Sequence, residues 1–285
     1  MAKGQYIGVG GVAKKVKKKY IGVGGVAHDV KSGYIGVGGV AKQYWSAGEL
    51  VDFTEKLTSN GTWTAPEGCT SVTAFLVGGG GGGYCGNYDE YEATCYGGGG
   101  GGYVTTATIA VTEGQSFSVT IGGGGNGATY NTSSPSTSDS ASRGGTTKFG
   151  TYSAAGGYGG QYKSIDNHWG VKGGDGGSGG AAANGAGALN INGGTNGGDG
   201  KTYYNEDYYE TVEAGKGSGK STTFDGVRYA DGGCARYTNT PRTANSGNGG
   251  NGVYFSSYSS DADSRAAAKG CDGVVILKYK AYKEI

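Results

Sequence analysis

The chain has 285 residues, of which 66 are glycine and only three are proline. Lysine and arginine number 24 against 23 acidic residues, and a net charge of +1 offers no electrostatic footprint for nucleic acid or an anionic membrane. Five leucines exclude long helices built on leucine stripes, and glycine without an every-third spacing or proline excludes collagen.

A glycine-rich chain tends towards disorder, because glycine loses the most backbone entropy on ordering and brings nothing to bury. Two features oppose that here: 23 tyrosines, and short, well-spaced clusters of valine and isoleucine. The pattern predicts an all-β protein with glycine-rich connections. Apolar stretches are too short to span a bilayer, so no membrane insertion is expected.

The octet Tyr-Ile-Gly-Val-Gly-Gly-Val-Ala starts at Tyr6, Tyr20 and Tyr34, a period of 14 residues. Lys3 followed by the first octet has the look of a signal peptide, but the two later copies mark it as a structural repeat. Two heptads would suit a coiled coil, yet three glycines per copy would cost a helix roughly 1 kcal/mol each. Gly10-Gly11 between Val9 and Val12 reads instead as a two-residue hairpin turn. That register sets Ile7 opposite Lys14 and gathers Ile7, Val9, Val12 and Val16 on one face, with Tyr6, Gly8 and Ala13 on the other. Such a hairpin cannot bury its apolar face alone, so residues 1–48 are expected to serve attachment or oligomerisation, a trimer being favoured. Lys14, Lys15, Lys17, Lys18 and Lys19 belong to the first copy only and read as a solvated edge that discourages aggregation.

Residues 49–58 read as a connector. Beyond it, residues 59–285 are expected to form a β-sandwich-like domain. Residues 60–68 suggest a short strand ending in a turn at Pro66. Further strands are expected at Ser71–Val77, Tyr103–Val111, Ser116–Ile121, Thr146–Ser153 and Gly273–Tyr279, with Gly114 as a hairpin turn between the second and third. Between them lie glycine runs at 78–83, 97–102 and 122–125, and the three-residue period of 173–181. Three residues per turn is the repeat of the extended left-handed helix that polyglycine shares with polyproline II. It has no internal hydrogen bonds, so a bundle of such polyglycine II helices would have to satisfy its amides laterally. Glycine permits that approach because nothing projects from Cα.

The frame Thr62-Trp63-Thr64-Ala65-Pro66, then Thr70 to Val77 running into Gly78–Gly83, resembles the glycine-rich domain of bacteriophage tail proteins. So do Gly102-Tyr103-Val104, Ala154-Ala155-Gly156-Gly157 and the closing Gly273-Val274-Val275-Ile276-Leu277. The octet is similar to repeats in phage and prophage proteins of Gram-positive hosts. This resemblance implies a virion component in the tail or a tail fibre, assembled in the host cytoplasm and joined to other tail proteins through its repeats. The related tail-fibre adhesins raise variable host-recognition loops on polyglycine helices, but the resemblance does not identify a receptor. A host cell-surface glycan is expected from the tyrosine-rich clusters and their carboxylates, which can accept sugar hydroxyls. A capsid fibre or decoration protein without receptor contact is the alternative. A glycan-cleaving depolymerase ranks last.

Little in the chain promises chemistry, and neither enzyme activity nor a cofactor is expected. Ala214 to Ser221 meets a relaxed phosphate-loop pattern, but no buried strand precedes it and strand and turn residues follow where a helix is needed. Two histidines cannot make a histidine-rich metal site, and no calcium loop is visible. His168 and Trp169 fit a binding or surface loop. Tyr84, Asn87, Tyr88, Asp89, Tyr91 and Tyr96 form one cluster, and Tyr203, Tyr204, Asn205, Tyr208 and Tyr209 a second. Both use the vocabulary of recognition surfaces, in which tyrosine supplies stacking area and a polar tip at low entropic cost. Some of these tyrosines could equally cap glycine helices. Cys85 and Cys95 bracket the first cluster. A disulfide there would constrain the unfolded chain by about 3 kcal/mol, whereas synthesis in a reducing cytoplasm favours free thiols, and both states remain open.

Overall fold

The computed structural model describes residues 6–9, 12–16, 19–23, 25–30, 32–37, 40–46, 49–88, 93–129, 141–165, 168–177, 182–184, 202–204, 220–221, 225–233, 243–252 and 267–283. All regular elements among them are strands, and the chain is all-β.

Each octet opens a two-stranded antiparallel sheet: β1 (Tyr6–Val9) with β2 (Val12–Lys15), β3 (Lys19–Val23) with β4 (Val26–Val30), and β5 (Ser32–Val37) with β6 (Val40–Ser46). The registers set Val9, Val23 and Val37 opposite Val12, Val26 and Val40. Gly25 takes φ +79°, the left-handed conformation such a turn asks of glycine.

A sandwich of two antiparallel sheets follows. Its strands are β7 (Leu50–Leu57), β8 (Gly61–Thr64), β9 (Ser71–Val77), β12 (Val104–Ala110), β13 (Ser116–Thr120), β14 (Thr147–Phe149), β15 (Tyr152–Ala154) and β22 (Val274–Tyr282). One sheet has the order β12-β9-β22-β7, the other β15-β14-β13-β8. Their facing sides enclose Val72, Leu76, Val275 and Leu277 from the first and Trp63, Val119 and Phe149 from the second. Trp63 is the hub: its ring lies 5.7 Å from that of Phe149 and 5.5 Å from that of Tyr279. Trp63 Nε1 and Tyr279 Oη both donate to Glu55 Oε2, at 3.0 and 3.1 Å, so one carboxylate ties three strands together.

Three expectations change. Residues 49–58, read as a connector, contain β7, an edge strand whose alternating half-buried residues pair with β22. The single strand expected at Thr146–Ser153 is a hairpin, because Gly150 turns the chain with φ +58°. Gly114 does turn the chain (φ +77°), but it passes β12 and β13 to different sheets and makes no hairpin.

The glycine segments continue the sandwich from one end. Gly78 follows β9, 122–128 follow β13, 155–160 follow β15, while 98–103 lead into β12, 142–145 towards β14 and 268–271 towards β22. The amides of Gly78, Gly79 and Gly80 donate to the carbonyls of Tyr103, Gly145 and Cys271; those of Gly81, Gly82 and Gly83 donate to Gly100, Ser142 and Ala268, all at 2.8–3.0 Å. Every third residue therefore returns to the same neighbour. The carbonyls of Gly79 and Gly82 accept from Gly157 and Gly160, those of Gly80 and Gly83 from Gly125 and Ala128, and that of Gly81 from Gly250. Falling donor–acceptor numbers make the three acceptor segments antiparallel to 78–83, and rising ones make 122–128 and 155–160 parallel to it. Residues 78–83 are thus walled by six segments and bonded to each, a lattice closed by peptide groups.

The remaining strands are β10 (Tyr84–Tyr88), β11 (Ala93–Gly97), β16 (Gln161–Ile165), β17 (His168–Lys172), β18 (Ala182–Asn184), β19 (Thr202–Tyr204), β20 (Lys220–Ser221) and β21 (Arg228–Tyr229).

Candidate functional site at the far end of the glycine lattice

The lattice gives the molecule a direction. Segments 78–83, 122–128, 155–160 and 247–252 run away from the sandwich, and each returns through an antiparallel neighbour: 98–103, 142–145, 174–177 and 267–271. The described stretches between them, 84–88 with 93–97 and 161–165 with 168–172, therefore leave at the end farthest from the sheets. β7 pairs Leu50 with Tyr282 and Leu57 with Val275, so the repeats join the sandwich at its opposite end. The entry of the chain at Leu50 and the far-end strands are separated by the full length of sandwich and lattice.

At that far end the two tyrosine clusters meet. β10 and β11 form a hairpin in which Tyr88 stands opposite Ala93 and Tyr84 opposite Gly97. β18 adds to β11 with Ala183 in register with Tyr96, and β19 adds in parallel to β18 with Tyr203 in register with the same Ala183. Tyr96, Ala183 and Tyr203 thus occupy one row of a four-stranded sheet, and Tyr204 falls opposite Asn184. The hairpin of β16 and β17, with His168 opposite Ile165 and Trp169 opposite Ser164, lies beside this sheet: β17 next to β11 and β18, β16 next to β10. His168 and Trp169, expected in a loop, are strand residues. Cys95 stands opposite Gly86 and Cys85 opposite Tyr96. Asp89, Tyr91, Asn205, Tyr208 and Tyr209 lie outside the described residues.

Tyr84 behaves differently from the rest of its cluster. It is 2% exposed, at the root of β10 where the lattice ends, and offers no solvent-facing contact.

Several anchoring contacts carry no signal in the sequence. Tyr229 is wholly buried against Phe75, Val77, Val104, Val274 and Ile276 on the outer face of the first sheet. Its hydroxyl donates to Asp225 and receives Lys56 Nζ at 3.1 Å. Burial, reinforced by the Asp225 carboxylate, holds this phenol protonated well above its ordinary range. Arg143 lies over the ring of Tyr158 at 4.1 Å and donates from Nε to the carbonyl of Gly156 at 3.0 Å, clamping two lattice segments from the side. Lys220 and Ser221, the end of the phosphate-loop-like stretch, pair as strand with Tyr229 and Arg228. Among the described residues no three histidine, cysteine or acidic side chains converge as a metal site would need.

No curated protein matches the chain. The profile of a family described as a glycine-rich domain matches residues 54–280, from the middle of β7 almost to the end of β22. That span takes in the described lattice and far-end strands and all of both sheets but the first residues of β7 and the last two of β22, and the chain belongs to the glycine-rich domain family.

Proposed function

We propose that the chain is a bacteriophage tail or tail-fibre protein that presents a host-binding surface at the far end of a rigid glycine scaffold. In this reading the glycine segments are polyglycine II helices, and the repeats join the chain to other copies or to tail proteins. The supporting observation is the polarity of the fold. The connections that hold β10 with β11 and β16 with β17 leave at one end, β19 joins them there through β18, and the chain enters the sandwich from the repeats at the other. A sheet carrying Tyr88, Tyr96, Tyr203 and Tyr204, with Trp169 on the adjoining hairpin, has the residue types that stack on sugar rings and bond their hydroxyls.

The test is retention of the full chain on a panel of cell-wall polysaccharides from Gram-positive bacteria. The expected result is binding to at least one, weakened tenfold or more, about 1.4 kcal/mol, by combined Tyr88→Ala, Tyr203→Ala and Tyr204→Ala substitution. Failure to bind any polysaccharide, or binding indifferent to those substitutions, rejects the receptor role. The burial of Tyr84 favours, for that residue, the alternative of a structural virion part without receptor contact.

A further inference from the structure

The register divides the far-end tyrosines between the two faces of one sheet. Residues in register across a sheet share a face, and neighbours along a strand do not. Tyr96, Ala183 and Tyr203 are in register across β11, β18 and β19, and Cys85 joins their row from β10. Two residues along, Asn87 stands opposite Thr94 on the same face. Tyr84, in register with Gly97, Ala182 and Thr202, belongs to the other face, and so does Tyr204.

Two observations separate the faces. Tyr84 is 2% exposed, so its face is shut at the root. The hairpin of β16 and β17 comes within 8 Å of β10, β11 and β18, Cα to Cα, whereas stacked sheets ordinarily lie about 10 Å apart. So close an approach needs small residues. The Tyr84 face supplies Gly86, Gly97 and Ala182 there, where the other face has Tyr96.

We infer that the hairpin backs the Tyr84 face and that the opposite face is a subsite for a neutral saccharide ring, flanked by Tyr96 and Tyr203 with Ala183 as its floor. Tyr96 and Tyr203 are two strand spacings apart, about 9.5 Å. Atoms in van der Waals contact sit about 4 Å apart, so a ring gripped from both sides needs about 8 Å between the groups that flank it. Ala183, between the two, is small enough to leave that width free. Asn87 and Thr94 add an amide and a hydroxyl, the groups that pair with sugar hydroxyls. None of the described residues on this face is charged, and the sequence between β10 and β11 brings Asp89, Glu90 and Glu92, which repel an anionic polymer. The ligand class is therefore a neutral polysaccharide and not a phosphate-bearing one. The inference rests on the proposed receptor role and narrows it to one face and one class of sugar.

Calorimetric titration of the full chain tests it, with neutral cell-wall polysaccharides of Gram-positive bacteria and, as the anionic counterpart, polyglycerol phosphate. The expected result is binding of a neutral polysaccharide that does not weaken as salt is raised. Tyr96→Ala and Tyr203→Ala should each weaken it about tenfold or more, whereas Tyr204→Ala, on the other face, should leave it within about twofold. Ala183→Leu, which fills the floor from a different strand, should weaken it as the tyrosine changes do, with unchanged β-sheet circular dichroism. A loss shared by variants on three strands is then not the unfolding of one. Binding that withstands Tyr96→Ala and Tyr203→Ala overturns the subsite and leaves the receptor role standing. Tighter binding of polyglycerol phosphate does the same. Failure to bind any of the polymers rejects both.

Discussion

Gly80 and Asn248 meet backbone to backbone: a β-carbon built on Gly80 would fall inside the carbonyl of Asn248. The same holds of Gly82 against Asn126 and Gly83 against Asn251, so the obstacle is main chain that is itself hydrogen-bonded. By contrast, a β-carbon on Gly123 would meet only Asp272 Oδ1, at 3.9 Å. Gly80→Ala should therefore destabilise by about 3 kcal/mol or more, at the upper end of overpacking costs, because no side chain can swing aside. Gly123→Ala should be neutral or stabilising by about 0.4–1 kcal/mol through the unfolded chain. Urea denaturation midpoints of the two variants decide it, and equal effects would mean the lattice is not closely packed.

Lateral bonding predicts an exchange pattern. Each amide from Gly78 to Gly83 has its own carbonyl partner on one of three neighbours, and so do those of Gly99, Gly100, Gly102 and Tyr103. Deuterium exchange of these amides should be as slow as that of the central strand β9, with no fast residue in the run. Exchange at free-peptide rates anywhere in 78–83 would show that the glycines are linker and that nothing rigid supports the far end.

Elements with continuous apolar residues are legible in the sequence. Ser71–Val77 has the expected bounds because Val72, Ala74, Phe75, Leu76 and Val77 are buried on both faces of a central strand. β7 is obscured by Asp52, Glu55 and Lys56, since an edge strand alternates charge with half-buried residues. The lattice is legible only where its composition is pure. Its partner segments include Ser142, Tyr158, Asn248, Ala268 and Cys271, because a bare Cα is needed only where another backbone approaches. At the site, local vocabulary marked both tyrosine stretches, but their meeting depends on Ala182–Asn184 bridging β11 and β19. Long-range pairing of that kind leaves no periodic trace.

Alkaline pH should loosen the sandwich. Burial, and then the Glu55 carboxylate 3.1 Å away, push the Tyr279 phenol from its ordinary 10.0 up to about 12. Below pH 10 both folded and unfolded chains keep the proton, and the stabilisation is fully present. Between 10.0 and about 12 the unfolded chain ionises first, so stability falls as pH rises through that window. Tyr229, raised by burial and by Asp225, acts in the same direction. The denaturation midpoint should decline steeply above pH 10, and Tyr279→Phe should flatten the decline. An unchanged slope in that variant would remove Tyr279 from the account.

Scaffold and display should also come apart by excision. The chain leaves the lattice at Gly83 and re-enters at Gly98 on an adjacent segment, held where the amide of Gly81 meets the carbonyl of Gly100 at 2.8 Å. Replacing residues 86–95 with a short glycine-serine turn keeps these bonds and shortens the closed loop, and each halving of loop length changes closure entropy by only about 0.6 kcal/mol. The pairing of β11 with β18 is made by Tyr96 and Gly97, which the replacement retains. The denaturation midpoint should therefore shift by no more than about 1 kcal/mol, as for changes away from a core. Polysaccharide retention should fall with the excision, because Tyr88 goes with it. A chain that unfolds on this replacement would make the far-end hairpin part of the scaffold, and the division between supporting glycine and displayed tyrosine would not hold.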